Sequence, residues 1–136
     1  MLDVKKIFVA SAGPIFNIIA IIICFFLDID LKLKENIIYS NLLLTIFNLI
    51  PIYPLDGGRI IKSFLSLLFG KKRASKYTYI ISNIMLFCIT ILFSILIYKF
   101  KNISILYILM YLWYILLQEN KNYKLKMKLY NYIGIN

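Results

Sequence analysis

Two long stretches of this chain contain no charged residue. They are residues 7–27 (IFVASAGPIFNIIAIIICFFL) and residues 78–98 (TYIISNIMLFCITILFSILIY). About 20 consecutive apolar residues cross the ~30 Å hydrocarbon core of a bilayer as a helix, so each stretch is long enough to span a membrane. Hydrophobic residues make up 62% of the chain, whereas roughly 45–50% is usual in soluble domains. The sequence therefore predicts an all-α membrane protein.

About four transmembrane elements are predicted within residues 1–117. The two uncharged stretches are the first and third elements, residues 37–69 form the second, and residues 103–117 form the fourth. Residues 118–136 are polar and rich in lysine. They are too short to fold around a core of their own, so we expect a short basic cytoplasmic tail.

Basic residues are concentrated beside and between these spans. Lys5 and Lys6 precede the first span, a predicted loop at residues 70–76 reads GKKRASK, and the tail adds further lysines. With four crossings these segments share one side of the cell membrane, which the positive-inside rule makes cytoplasmic. Both termini are then cytoplasmic, and the predicted loops at residues 28–36 and 99–102 face outward. The net charge of +10 thus has a topological explanation, and no nucleic-acid partner is predicted.

Two prolines interrupt the second element. As one continuous helix, residues 37–69 would be about 50 Å long at ~1.5 Å per residue, well above the ~30 Å of the hydrocarbon core. Pro51 and Pro54 would break such a helix. We therefore predict two short helices, residues 37–49 and 57–69, joined by a non-helical loop inside the membrane. Irregular backbone at that depth is tolerated only where protein buries it or a cavity hydrates it, so the loop should line a site.

Polar residues accompany this interruption. Asp56 ends the loop, where its carboxylate can cap the following helix or bind a ligand, and the spacing favours neither role. Asn48, shortly before the loop, has the default role of holding the broken backbone in place. In the first span, Asn17 lies inside the bilayer, where its default role is a hydrogen bond to a neighbouring helix.

Small residues mark two places of close packing. Ala12 and Gly13 form a notch in the first span, beside Pro14. Gly57 and Gly58 follow Asp56 directly. Small residues let helices approach each other closely within a membrane, so we expect both pairs to lie at tight contacts.

Together these motifs resemble the site-2 proteases, which are membrane-embedded zinc metalloproteases. The resemblance is carried by SAGPIFN at residues 11–17 and by NLIPIYPLDGGRI at residues 48–60. Within the family, the subgroup of the stage IV sporulation protein FB of spore-forming bacteria is the most similar in these motifs. The likeness covers residues 7–69, while the last two spans match only in number and topology.

The resemblance implies a role for each of four residues. Asp56 matches the family's third zinc ligand, Asn48 and Pro54 match loop positions that engage substrate, and Asn17 matches a position that binds substrate or stabilises the oxyanion. The implied reaction is hydrolysis of a peptide bond with zinc as cofactor, because the metal lowers the pKa of its bound water to about 7 and polarises the carbonyl. The implied partners are a membrane-associated protein substrate, such as a pro-sigma factor, and regulatory membrane proteins.

The chain departs from the family in its ligand set. The family's other two zinc ligands and its general base come from an HExxH helix, and this sequence contains no histidine. One carboxylate cannot form a three-ligand catalytic site, and no motif places Cys24 or Cys88 as substitutes. We therefore expect the C-terminal part of such a protease, without a complete set of catalytic residues and inactive alone, which needs an N-terminal HExxH-bearing segment.

Two alternatives remain open at this point. The first is a pseudoprotease that binds membrane clients without cutting them, which the motif residues alone do not distinguish from a protease part. The second is half of a transporter, because broken helices with polar residues at mid-membrane also mark transport sites. Residues 78–117 contain no Gly or Pro that would form a matching second broken helix, which argues against a transporter.

Overall fold

The computed structural model describes residues 2–101 and 103–134, and the elements that these residues form are all α-helices. This confirms the all-α class for the described part of the chain. In chain order the helices are α1 (Leu2–Phe26), α2 (Leu31–Leu49), α3 (Asp56–Phe69), α4 (Lys71–Phe100) and α5 (Ser104–Ile133).

The predicted break in the second element is confirmed. Helix α2 ends at Leu49 and α3 begins at Asp56, with Pro51 and Pro54 in the loop between them. Proline lacks the backbone N–H of a helix and clashes with the preceding turn, which explains why the helix cannot continue here. In contrast, α1 is continuous through Pro14.

The helices extend further than the apolar stretches do. The loop expected at residues 28–36 is shorter, because α2 already begins at Leu31. Lys34 in its first turn donates hydrogen bonds from Nζ to the carbonyl oxygens of Phe25 (2.9 Å) and Leu27 (3.2 Å). These carbonyl groups lie at the C-terminal end of α1, where a helix leaves its acceptors unsatisfied. The polar residues 31–36 therefore show where the apolar surface ends, although they are themselves part of helix α2.

The same correction applies to the basic segments. The loop expected at residues 70–76 is reduced to Gly70, whose φ of 81° turns the chain directly from α3 into α4. Helix α5 likewise continues past residue 117 as far as Ile133. Lysine is a good helix former, so a lysine-rich segment can prolong a helix beyond its apolar part.

Helix α1 packs against both halves of the broken second element, α2 and α3. Helix α1 contacts α2 and α3, α3 contacts α4, and α4 contacts α5. Ile52, from the loop between α2 and α3, is fully buried in a cluster with four residues of α4 and α5: Leu86, Ile89, Leu112 and Leu116. The loop is therefore anchored in the hydrophobic core.

Polar contacts hold α5 against α4. The side-chain amides of Asn83 and Asn120 donate to each other's oxygens at 3.3 and 3.1 Å. The rings of Tyr79 and Tyr123 stack with their centroids 4.4 Å apart. Hydrogen bonds between side chains on neighbouring helices contribute about 0.6–2 kcal/mol each in membrane proteins.

Of the described helices, two are long and apolar enough to cross a membrane, over Asp3–Phe26 and Lys71–Lys99. Only 17% of the most apolar stretch of each is buried inside the molecule, and large apolar side chains such as Phe8, Phe16 and Phe87 are 63–71% exposed. Apolar surface of this extent is favourable in lipid and unfavourable in water. These are features of a membrane protein. The number of four crossings, their orientation and the tail after residue 117 stay predictions.

Candidate functional site

The loop between α2 and α3 has a well-satisfied backbone. The N–H of Ile52 donates to the carbonyl of Ile50 at 2.7 Å, and the N–H of Leu55 donates to that of Ile52 at 2.8 Å. The N–H of Tyr53 donates to the hydroxyl of Ser82 in α4 at 3.0 Å, and Ser82 is 1% exposed. A loop whose polar groups are paired in this way can hold a fixed shape where water is scarce.

The two glycines at the start of α3 pack against this loop. A β-carbon on Gly57 would meet the carbonyl group of Leu49 and would lie 2.7 Å from the oxygen of Ile50. A β-carbon on Gly58 would lie 2.6 Å from the carbonyl oxygen of Ile52. The prediction of close packing is therefore confirmed, but the close neighbour is the backbone of the preceding loop and not a second helix.

Asp56 is the first residue of α3, and its carboxylate lies against α1. A β-carbon on Gly13 would be 2.8 Å from Oδ2 of Asp56. The residue at the N-cap position is Leu55, and no side chain caps this helix by a hydrogen bond. Within residues 2–101 and 103–134, no group forms a hydrogen bond or an ion pair with the Asp56 carboxylate. The capping role is thus not observed, although the dipole of α3 still favours a negative charge at this end.

Asn17 lies one turn after Gly13 on α1, so both residues belong to the same side of the helix. Asn17 is half-buried, and its amide has no hydrogen-bond partner in the described part of the chain. Its default role as a hydrogen bond between helices is therefore not seen. Gly13 contacts Asp56, so the structure brings the first motif, SAGPIFN, to the start of α3, where the second motif continues.

Asn48 and Pro54 flank the loop. Asn48 is half-buried in the last turn of α2, and its amide bonds no other described residue. The residue after it, Leu49, contacts Gly57, the residue after Asp56. Pro54 is half-buried and follows a cis peptide bond from Tyr53. The structure therefore places Asn48 near the start of α3, and the role of holding the loop falls to Ser82.

Ser82 is a residue whose role the sequence did not reveal. It lies inside the third apolar stretch, 29 residues from its partner Tyr53. A small hydroxyl residue within such a stretch usually forms a hydrogen bond to another helix, which was the available signal. The sequence alone does not identify the backbone group to which Ser82 is hydrogen-bonded.

The side chains near Asp56 do not by themselves fit a zinc ion. A carboxylate is a suitable oxygen ligand for zinc, but a catalytic site needs three protein ligands. The described residues contain no group of three or more His, Cys, Asp or Glu residues that could hold a metal. Cys24 is buried near the end of α1, with Sγ 4.0 Å from the carbonyl oxygen of Lys34, and Cys88 is exposed on α4. Asp56 can therefore supply one ligand of a larger set.

Comparison with known families agrees with the motifs. Residues 31–92 match the family model of Peptidase family M50, the site-2 proteases. This region contains α2, the loop, α3 and most of α4, and so it includes Asn48, Pro54, Asp56 and Ser82. The resemblance to site-2 proteases is thus supported over this part of the chain.

A curated relative points the same way. The chain is similar to zinc metalloprotease MJ0392 of Methanocaldococcus jannaschii, with 37% identity over 75 residues. The similar region covers 50% of this chain and 22% of that protein, so the chain spans about a fifth of its relative's length. No solved structure matches the chain.

Proposed function

We propose that this chain is part of an intramembrane zinc protease of the site-2 class and that Asp56 supplies one of the zinc ligands. One observation carries the proposal. The Asp56 carboxylate has no partner among the described residues and lies in a space left open by Gly13, and Asp56 is within residues 31–92, which match Peptidase family M50.

The lack of a partner for the Asp56 carboxylate favours a role as a metal ligand over a structural role. A structural carboxylate would cap α3 or pair with a cation, and Asp56 does neither. Ionisable groups inside membranes are costly and usually serve a site. The described residues contain no fully buried side-chain oxygen or nitrogen that lacks a partner, so the unpaired Asp56 carboxylate oxygens are not fully buried.

The remaining parts of the site are proposed to come from elsewhere. Histidine is absent from the 136 residues, so an HExxH-bearing segment would supply two histidine ligands and the general base. Asn17, Asn48 and Pro54 would then contact the substrate, a membrane-associated protein. The unpaired amides of Asn17 and Asn48 support this, because an extended peptide presents backbone groups that such amides can bind.

We further propose the finer features that the motifs imply. These are a multi-pass position in the cell membrane with cytoplasmic termini, control by regulatory membrane proteins, and cleavage of a pro-sigma factor as in the sporulation subgroup. The support for the orientation is the distribution of lysines, and the support for the substrate is the motif resemblance.

A client-binding protein without catalysis is the second candidate function. The observation that favours it is the lack of histidine, which leaves Asp56 as a lone ligand. Such a protein would use the same loop and the same amides to hold a membrane-bound client, and it would not bind zinc.

Reconstitution distinguishes the two functions. The chain is co-expressed with an HExxH-bearing segment of a related protease, and the zinc content and cleavage of a membrane-bound substrate are measured. We expect the complex to bind one zinc ion and to cleave, and Asp56→Asn to abolish both, because it removes the anionic ligand while keeping the shape. Asp28→Asn, at an exposed position between α1 and α2, serves as the control and should leave both unchanged.

Binding of client without zinc would favour the second candidate. In that case the complex would retain the client after Asp56→Asn. Stoichiometric zinc binding by the 136-residue chain alone would contradict the assignment of Asp56 as one of several ligands, because the described residues contain no group of three or more His, Cys, Asp or Glu that could hold a metal.

A further inference from the structure

A cavity of about 520 Å³ lies between α1, α3, α4 and α5, at the end of the molecule where α1 begins. Its lining is strongly basic. It contains one carboxylate, that of Asp3, and six cationic side chains: Lys5, Lys6, Arg59, Lys62, Lys71 and Lys126. Segments far apart in the chain thus bring their positive charges to one place.

Most of this charge is not neutralised within the molecule. Lys6 pairs with Asp3 at 3.2 Å, and Lys126 pairs with Glu119 at 3.7 Å. The other four cations of the lining have no carboxylate within ion-pair distance in the described residues. Like charges gathered in a confined space repel each other, and a bound anion relieves the repulsion.

The position of Lys62 strengthens this point. Its side chain is half-buried, and its Nζ lies 3.9 Å from the centre of the Tyr53 ring. A face-on ring attracts the ammonium group but does not cancel its charge. The ammonium group is therefore held in place by the ring and still available to an anion.

Neutral hydrogen-bond donors line the same space. Ser63 and Ser75 are 5% and 8% exposed, and both contribute to the lining together with Tyr130. Ammonium and guanidinium groups combined with hydroxyl donors are the set that binds phosphate oxygens in proteins. The lining therefore fits a phosphate group.

The surroundings of the cavity favour a phospholipid as the source of the phosphate. Phe8 and Val9 follow Lys5 and Lys6 on α1, and each is 71% exposed. Val9 also contributes to the lining. The charged end of a candidate membrane span thus meets its apolar surface at the cavity, which is the arrangement that a lipid headgroup with attached acyl chains would require.

We propose that this cavity binds the phosphate of an anionic phospholipid headgroup, with the acyl chains along the apolar surface of α1. The proposal does not rest on the protease function, since it uses a different set of residues from Asp56, Asn17 and Asn48. A free phosphate and an acidic peptide are also negatively charged, so both could compete for the same lining. The experiment distinguishes them from the lipid.

The full chain is purified in detergent micelles and titrated with dioctanoyl phosphatidylglycerol, and bound lipid is measured by native mass spectrometry. We expect dioctanoyl phosphatidylcholine to bind at least about tenfold more weakly, since attraction to anionic lipid grows with each nearby lysine. The triple variant Lys5→Gln, Lys62→Gln, Lys71→Gln should weaken binding of phosphatidylglycerol by at least about tenfold.

A matched variant controls for net charge. The triple variant Lys32→Gln, Lys124→Gln, Lys128→Gln removes the same charge at exposed positions outside the lining. It should bind phosphatidylglycerol within about twofold of the unmodified chain, because surface charges away from a site act weakly in salt. An equal loss in both triple variants would overturn the proposal, since binding would then follow net charge alone.

The competing ligands are tested on the unmodified chain. Inorganic phosphate that binds as tightly as the lipid would assign the cavity to free phosphate and overturn the lipid proposal. An acidic peptide that binds the cavity while phosphatidylglycerol does not would overturn it as well.

A second measurement covers the case in which the cavity variant fails to fold. Photoreactive phosphatidylglycerol is cross-linked to the unmodified protein, and labelled peptides are identified by mass spectrometry. Labels should fall on the segments that line the cavity, which are residues 3–10, 53–75 and 126–130. Labels confined to other parts of the chain would contradict the assignment.

Discussion

The carboxylate of Asp56 at the start of α3 lies directly against Gly13 in α1, so that a β-carbon on Gly13 would be 2.8 Å from Oδ2. Gly13 has no side chain, and the Asp56 carboxylate beside it has no hydrogen-bond or ion-pair partner among the described residues. Each belongs to a different motif in the sequence, and the contact brings the two motifs together in the fold.

Gly13→Ala tests this contact. The added methyl group should displace the Asp56 carboxylate, because the end of a side chain moves more easily than a packed helix. Folding stability should change little, since alanine in a helix is favoured over glycine by up to about 1 kcal/mol. In the complex with an HExxH-bearing segment, zinc affinity should fall by about 10–100-fold, as it does when groups around a metal ligand are altered. Zinc titration measures the effect.

Ala12→Val is the control for this substitution. Ala12 is the neighbouring residue on α1 and is exposed, so added bulk there does not meet Asp56. Its zinc affinity should stay within about twofold of the unmodified complex, because no group around the metal is altered. An equal loss of affinity in both variants would show that the effect comes from α1 as a whole.

Gly57→Ala should be strongly destabilising. Its β-carbon would meet the backbone at Leu49 and Ile50, and backbone in a loop with paired hydrogen bonds cannot move aside cheaply. We expect a loss of about 2–3 kcal/mol, in the range of overpacked cores. Denaturation in mixed micelles measures the unfolding free energy.

Gly70→Ala provides the contrast with Gly57. Gly70 has a φ of 81° and no atom within 4 Å of an added β-carbon. The cost there should come from backbone strain alone, about 1–3 kcal/mol, because φ of 81° with ψ of 164° is a combination that is nearly limited to glycine. An unfolding free energy that Gly57→Ala leaves unchanged would contradict the close packing of α3 on the loop.

The helix break could be predicted from the sequence because its cause is local. Pro51 and Pro54 exclude a helix through their own backbone, whatever the remainder of the chain does. The contact of Gly57 and Gly58 with the loop was only partly predictable. Their small size indicated close packing, but the identity of the neighbour depends on how the loop folds back.

Ser82→Ala should loosen the loop. The hydroxyl of Ser82 accepts the N–H of Tyr53, and its removal leaves a part-buried donor without a partner. Such a loss costs about 1–3 kcal/mol. Hydrogen exchange of the Tyr53 amide should become faster by a corresponding factor. Ser94→Ala is the control, since the Ser94 hydroxyl is exposed and donates only to its own helix at Thr90, and it should stay within about 0.5 kcal/mol.

The partner of Ser82 could not be predicted because the contact joins two elements that are distant in the chain. The starts of α2 and α4 and the end of α5 were mispredicted for a different reason. Hydropathy shows where the apolar surface ends. Helices α2, α4 and α5 continue beyond that point into polar segments, which contain Lys34, Lys71 and Lys126. The basic cavity was also not predicted, although three of the segments that contribute cations to it were expected on one side of the membrane; Arg59 and Lys62 of α3 add the others.

Asn48→Ala separates a substrate contact from a structural role. Its amide has no partner in the described residues, so the free energy of unfolding should stay within about 0.5 kcal/mol. Cleavage by the reconstituted complex should fall while zinc stays bound. Asn83→Ala is the comparison, because the Asn83 amide bonds Asn120 in α5 and its loss should cost about 0.6–2 kcal/mol. Equal destabilisation by both changes would assign Asn48 a structural role.

Membrane orientation is tested by single cysteines in a chain without Cys24 and Cys88. Lys76→Cys and Asn122→Cys are suitable because both residues are exposed, whereas the neighbouring Ser75 is buried. If the basic segments are cytoplasmic, both cysteines should resist a membrane-impermeant thiol reagent in intact cells and react after lysis. Leu33→Cys, at an exposed position near the start of α2, should react in intact cells. If Lys76→Cys reacts in intact cells and Leu33→Cys is protected, the orientation is the reverse of the predicted one. If only one of Lys76→Cys and Asn122→Cys reacts, the chain does not cross the membrane four times.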